Sequence, residues 1–353
     1  MSLMRLEFKE DFARSAERFK AFWAREALDG PMVEVVAPRR PGVPKGTQRI
    51  LDGPTWADPQ PTLDQMQAHF AGNYYAGDAY PFWYPNLGPG TLGGFLGNAI
   101  HFDVPHDTSW QHPLIADLAQ MRWQIDEQNP YWQATLAWTR RIAARAPDRF
   151  IVGMADLGMG ADVLAQLRGP ENFCLDLVES PQAVSDALRA VRGLWQQCYQ
   201  RLYDLFPPGN GSCCWLPAWA PGRSFPLQND FSCMVSREMY EKFFLEDLIA
   251  HCRFLDYPVY HLDGPGAVKH LDLLLDIPEL KAIQWTAGDG QPPMPHWVGM
   301  LRRIQAAGKG LVLYVSPREL DVLTAQLQPE GVIYLLWVDT PEQADGIVRG
   351  MRG

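Results

Sequence analysis

The sequence lacks the cysteine pattern of a disulfide or zinc scaffold. Its six cysteines, Cys174, Cys198, Cys213, Cys214, Cys233 and Cys252, include no Cys-x-x-Cys pair and no secreted-scaffold spacing. They read as free thiols of a reducing compartment. No run of Lys and Arg occurs, only isolated pairs at 39–40, 140–141 and 302–303, and the formal net charge is −10. That balance argues against a nucleic-acid partner. The longest apolar runs, such as "VIYLLWV", are far too short to span a bilayer. The start "MSLMRLEFKEDF" is charged and has no apolar stretch of the secretory kind, so a cytoplasmic protein is expected, with Met4 as its natural first residue. Charged residues make up only 20% and hydrophobic residues 47%, which supports a real core in a chain of 353 residues.

What the sequence does have is alternation of short apolar runs with helix starts. "SPRE" (316–319) sets Ser at the N-cap, Pro at the first helical position and Glu at the third. "TPEQ" (340–343) repeats this with Gln, and "SPQA" (180–183) keeps the Ser and Pro. Strands are expected at 258–264, 281–288, 310–315 and 332–339, followed by helices at 266–275, about 294–307, 317–328 and 340–351. Four such units in succession are the signature of a parallel α/β sheet. Upstream, 31–38, 80–88, 149–158 and 211–219 are candidate strands, with helices at about 9–27, 113–126, 130–146, 181–205 and 236–254. About eight strand–helix units fit one closed (β/α)8 TIM barrel over 1–353, with the helix near 9–27 packed on it. A doubly wound open sheet is the alternative. "GPGTLG" (88–93) matches a dinucleotide-binding pattern, but no acid follows at the ribose distance, so it reads as a permissive turn.

In such a barrel the site lies at the C-terminal strand ends. There the sequence places Trp83, Tyr84 and Asn86, then Asp156, then Cys213, Cys214, Trp215 and Trp219, with Asp230 following. The later strands end on His261 and Asp263, Gln284 and Trp285, Tyr314 and Ser316, and Trp337 and Asp339. His261 and Asp263 are two apart on one strand, so they share a face. They read as a metal site, an acid/base pair, or a pair that only hold each other. Cys213 and Cys214 read as buried thiols.

"NDFSCMVSREMYEKFFLEDLIAHC" followed by "YHLDG", with "ADVLAQLRGPENFCLDLVESPQAV" upstream, resembles the uroporphyrinogen decarboxylase superfamily, which includes corrinoid-linked methyltransferases. The likeness runs from about residue 75 onward and is firmest over 225–290. It implies a (β/α)8 barrel. In the methyltransferase branch a His-x-Cys pair and a later cysteine hold zinc. His261 matches the histidine, Asp263 stands at the cysteine, and the last strand has none. In the decarboxylase branch an arginine motif and a strand-2 aspartate bind the substrate. Here only Arg39 and Arg40 remain of the former, and Asn86 stands near the latter.

The resemblance implies methyl transfer on a small organic substrate. His261, Asp263 and Asp230 are the expected catalytic residues, with zinc on His261 and Asp263. Trp83, Tyr84, Asn86, Asp156, Trp215, Gln284, Trp285 and Trp337 are the expected substrate contacts. A corrinoid carried by a separate protein and a homodimer are the expected partners, beside the substrate itself. Decarboxylation of uroporphyrinogen or a smaller acid is the alternative, with Arg39, Arg40 and Arg223 as its cations. A barrel that binds a small molecule without turnover is the second.

Overall fold

The computed structural model describes residues 5–43 and 50–352. Met4 lies outside them. The chain is a mixed α/β structure around a central sheet. Among the described residues eleven strands occur in chain order: β1 (Met32–Pro38), β2 (Asn73–Gly77), β3 (Phe82–Trp83), β4 (Ile100–Asp103), β5 (Thr108–Gln111), β6 (Ile151–Val152), β7 (Ser224–Gln228), β8 (Tyr257–Asp263), β9 (Ala282–Thr286), β10 (Gly310–Tyr314) and β11 (Val332–Trp337). Seven form one sheet in the order β2-β1-β11-β10-β9-β8-β7. All its neighbours are parallel except the β1–β2 pair. β3 and β6 form a separate parallel pair, and β4 and β5 a hairpin.

Eight strands in one closed ladder are not displayed. Single hydrogen bonds continue the pattern beyond the sheet. The Gly153 N–H donates to the Trp83 carbonyl, the Met154 N–H to the Cys213 carbonyl, and the Ser224 N–H to the Ser212 hydroxyl, each at 2.8 Å.

The period of two in each strand sorts side chains between two cores. Val33, Val35 and Ala37 of β1 join Phe225, Leu227, Leu262, Ile283, Leu311, Leu313 and Val332 in a large cluster with the helices. Met32, Val259, Ala282, Val312, Ile333 and Leu335 face the other way and form a second core. The helix Phe12–Ala24 supplies Phe12, Phe19, Phe22 and Trp23 to that second core. Phe12 and Phe19 both pack on Tyr80 and on Trp219, with centroids 5.4–6.0 Å apart. Trp23 donates its indole N–H to the Trp219 carbonyl at 2.9 Å. A Cβ at Gly310 would come within 2.9 Å of Phe22, so the close approach requires glycine there.

The helix is also clamped by charge. Arg18 and Asp78 are both buried, and the Arg18 guanidinium reaches both carboxylate oxygens at 2.9 and 3.1 Å. Asp78 accepts as well from the Val33 N–H at 3.1 Å and from Arg352 at 2.8 Å. One carboxylate therefore joins the N-terminal helix, β1 and the helix Pro341–Arg352.

Three expectations differ from the structure. Residues 113–126 hold only the short turn Leu118–Gln120 in place of a helix. Asp117 accepts from the Ala119 N–H and from the Gln120 side chain, and the N–H groups of Leu114 and Ile115 both go to the Leu167 carbonyl. Residues 211–219 form a loop closed by a Ser212–Ala220 bridge, and the ladder position is taken by β7, whose Pro226 is tolerated because β7 is the last strand of the sheet. Residues 80–88 and 149–158 contribute only two paired residues each. The capping box at Ser316–Glu319 is present, and Gly88 and Gly90 adopt φ of 88° and 69° in the turn of "GPGTLG". All six cysteines are free. No helix among the described residues is long and apolar enough to cross a membrane.

Removing Asp78 takes the shared carboxylate from Arg18 and Arg352 and leaves the buried Arg18, among the described residues, only its ion pair with Asp29. Asp78→Ala should cost about 3–5 kcal/mol in chemical denaturation. A cost below about 1 kcal/mol would show that the clamp does not hold the helix.

Candidate functional site at the strand ends

β8 carries Val259, His261 and Asp263 toward the inner core, and β9 carries Ala282, Gln284 and Thr286 beside them. His261 pairs in register with Gln284, and Asp263 with Thr286. The Gln284 amide N–H donates to the Thr286 hydroxyl at 2.6 Å, which turns its carbonyl oxygen toward His261. That oxygen contacts His261 Nδ1. A carbonyl oxygen only accepts, so Nδ1 is the donor in this contact and Nε2 is the ring nitrogen left to face a ligand. The Trp215 ring stands edge-on to the imidazole, with centroids 5.1 Å apart.

Asp230 follows β7 and completes the group. Ligand atoms of Asp230, His261 and Asp263 all lie within 4.8 Å of one another, and none of the three residues is buried. Asp230 is held from behind. The N–H groups of Asp230 and Phe231 donate to the two oxygens of Asp162 at 3.1 and 2.9 Å. Although Asp230 keeps an exposed edge, desolvation by its packed surroundings raises its pKa, His261 opposes the rise, and Asp263 adds to it. Asp162 is pushed up to about 7 by burial and by the neighbouring charge of Asp230. It is a carboxylate that the sequence reading did not single out, since an Asp at the start of a helix resembles an ordinary first-turn acid.

Beside this group lies a recess of about 610 Å³, its open mouth included. Trp215, Tyr314 and Trp337 line it, with Glu34, Tyr75 and Tyr80 deeper in the wall. Tyr314 and Trp337 stack 5.3 Å apart at 7°. Trp215 borders both the recess and His261.

The remaining sequence candidates are spread out. Gln284 sits on His261. Trp285 points to the helical layer, fully buried against Trp297. Trp83 packs among Phe70, Trp138 and Phe150 in a third cluster. Tyr84 is buried and stacks with Phe82, a lining residue of the recess. Asn86 accepts the Gly88 N–H at 3.0 Å within the glycine-rich turn. Asp156 accepts the Gly158 N–H, and burial pushes its pKa up to about 7. Cys213 and Cys214 are buried, and burial raises both thiol pKa values. Arg39 donates to the Asn73 carbonyl and lies over the Tyr74 ring, while Arg223 is paired with Asp256.

Asp156 generates a pH prediction. Its unfolded form loses a proton near the ordinary value of 3.8, and its folded form near 7. Between those values the folded state holds the extra proton, so stability falls as pH rises from about 4 to about 7. Asp156→Asn removes this component. Relative to the parent, the variant should gain on the order of 4 kcal/mol between pH 4 and pH 8 in denaturation curves. Parallel pH profiles for the two proteins would refute the raised pKa.

No protein-family model and no curated protein matches the sequence. Among solved structures, the fold is similar to that of a methyltransferase from Methanosarcina mazei, with a TM-score of 0.60. The match covers 96% of this chain and 98% of that one at 12% identity.

Proposed function

We propose that the chain is a methyltransferase-like enzyme of the uroporphyrinogen decarboxylase superfamily. In this reading its sheet is a divergent (β/α)8 barrel, and its reaction takes place at the C-terminal strand ends. The observation that carries the reading is the convergence of Asp230, His261 and Asp263 beside an aromatic recess. The likeness of fold to a methyltransferase agrees with it.

The donor set suits a metal such as zinc. Two carboxylates and one imidazole are acceptable zinc ligands. Gln284 fixes the His261 tautomer from the outer side, as supporting residues of metal-bound histidines do. Asp162 secures the backbone that presents Asp230. A metal held by Asp230, His261 and Asp263 would supply Lewis-acid polarisation of a substrate heteroatom. The protein's own part is to orient that heteroatom toward the three donors and to exclude water with Trp215 and Trp337. A corrinoid on a separate protein, docking over the strand ends, is the proposed second partner in methyl transfer. A homodimer and a cytoplasmic location belong to the same proposal.

Decarboxylation of uroporphyrinogen is supported less well. It needs cations facing the substrate carboxylates, and none of the residues lining the recess is Lys or Arg. Arg39 and Arg223 are already engaged. The purified protein should release no coproporphyrinogen in an anaerobic assay with uroporphyrinogen, and its appearance would reverse this ranking.

The metal reading has a direct test. Protein purified without chelator should hold about one equivalent of a divalent metal by elemental analysis. Asp263→Asn should abolish that binding while changing the melting temperature little, because the residue is not buried. Gln284→Leu should weaken the metal about 10–100-fold by releasing the imidazole. Folded parent protein that takes up no metal would overturn the reading. A large stability loss in Asp263→Asn with metal binding intact would show that Asp263 serves structure instead.

A further inference from the structure

β1 reads Met-Val-Glu-Val-Val-Ala-Pro, and its Glu34 falls on the inner face with Met32 and Val36. Glu34 is 4% exposed, lines the recess, and its Oε1 has no hydrogen-bond partner among the described residues. Two further buried polar atoms of the same lining, the Tyr75 hydroxyl and the Trp215 indole N–H, also have none. A buried acceptor left without a partner costs free energy comparable to a lost hydrogen bond or more. Three such atoms on residues that line one recess point to a ligand.

The charge of that ligand follows from what surrounds Glu34. The charged groups near it are Lys9 and Asp78. Lys9 is committed to the carbonyls of Tyr75 and Gly77 and to Asp11. Asp78 is committed to Arg18 and Arg352. Tyr80, Tyr314 and Cys213 also face Glu34, and His69 and Tyr75 complete the polar lining. Lys9 acts on the carboxyl only through space, its ammonium being bonded to other groups, and none of these residues forms an ion pair with Glu34 among the described residues. The rings of Trp215, Tyr314 and Trp337 offer faces that attract a positive charge.

Register connects this anchor to the candidate catalytic group. Glu34 pairs with Leu335, which pairs with Tyr314. Leu313, one residue back, pairs with Trp285, the neighbour of Thr286, which pairs with Asp263. Glu34 and Asp263 therefore belong to one register row on the inner face.

We propose that the recess binds a small organic ammonium ion, its positive head on Glu34 and its alkyl groups against Trp215, Tyr314 and Trp337. This rests on the reading of the recess as the substrate pocket of the proposed enzyme, and it names the substrate class. In the empty recess burial holds the Glu34 carboxyl well above its usual range. Seating a cation there favours the ionised form, so binding releases a proton. At pH 7 His69, lowered to about 4 by burial, has none to give. Burial also keeps Tyr75, Tyr80, Tyr314 and Cys213 protonated.

The test is calorimetric titration with choline and with its uncharged isostere 3,3-dimethyl-1-butanol, in two buffers of different ionisation enthalpy. Choline should bind at least tenfold more tightly than the alcohol, with release of up to one proton. Glu34→Gln should lose at least tenfold in choline affinity and all proton release. Trp337→Ala, at an exposed position, should fold normally and bind choline several-fold more weakly. Equal binding of the two probes, no binding of choline to folded parent protein, or unaltered binding to a folded Glu34→Gln variant would overturn the proposal. Metal uptake at His261 and Asp263 is measured separately. Loss of one result with the other intact therefore tells which of the two readings has failed.

Discussion

Everything at the mouth depends on the strict alternation of side chains along the parallel strands. Each of β1 and β8–β11 sends one set of residues to the helices and the other inward. Ordinary hydrophobic burial stabilises both sets near the N-terminal strand ends, where Met32, Val259, Ala282, Val312 and Ile333 fill the inner side. Two residues further on, the same inward positions become Glu34, His261, Gln284 and Tyr314. On β1, β8, β9 and β10 the inward side chain thus changes from apolar to polar within one step of the pleat, while β11 keeps Leu335 there. A shift of any strand by one residue would exchange these groups with Val, Leu and Ile of the outer core.

That dependence explains why parts of the molecule were legible in the sequence. Spacing alone located β8 to β11, because each apolar run is short and is followed by a helix start. It also put His261 and Asp263 on one face. The same rule, applied to "AIQWT", separates Gln284 from Trp285, since adjacent residues cannot both point inward. Gln284 meets His261, and Trp285 meets Trp297. Glu34, a lone carboxylate between valines, is not singled out by the sequence, because alternation gives β1 two faces without saying which one turns inward.

Other features were hidden for physical reasons. β7, Ser-Phe-Pro-Leu-Gln, carries only two large apolar side chains, so the longer apolar run "SCCWLPAW" nearby is the stronger strand signal in the sequence. Residues 113–126 carry helix-like periodicity, but Asp117 satisfies local amides and Leu167 captures the chain from outside. Whether the strands close a full ring is not written in periodicity, because closure depends on two-residue ladders such as β3 with β6. The convergence of Asp230 on His261 depends on Asp162, some 68 residues earlier in the chain, holding a loop amide. No local pattern reports a contact of that length.

The clamp at Asp78 has a consequence for how the chain assembles during synthesis. Its two cationic partners lie far apart in sequence, and Arg352 follows Asp78 by 274 residues. At roughly 5–20 residues per second, Asp78 waits on the order of ten seconds or more for that partner after it has been made. Until then its carboxylate has only Arg18 to neutralise it, and the N-terminal helix that fills the inner core lacks its last anchor. The packing of the N-terminal helix is thus secured only after the helix Pro341–Arg352 has been made.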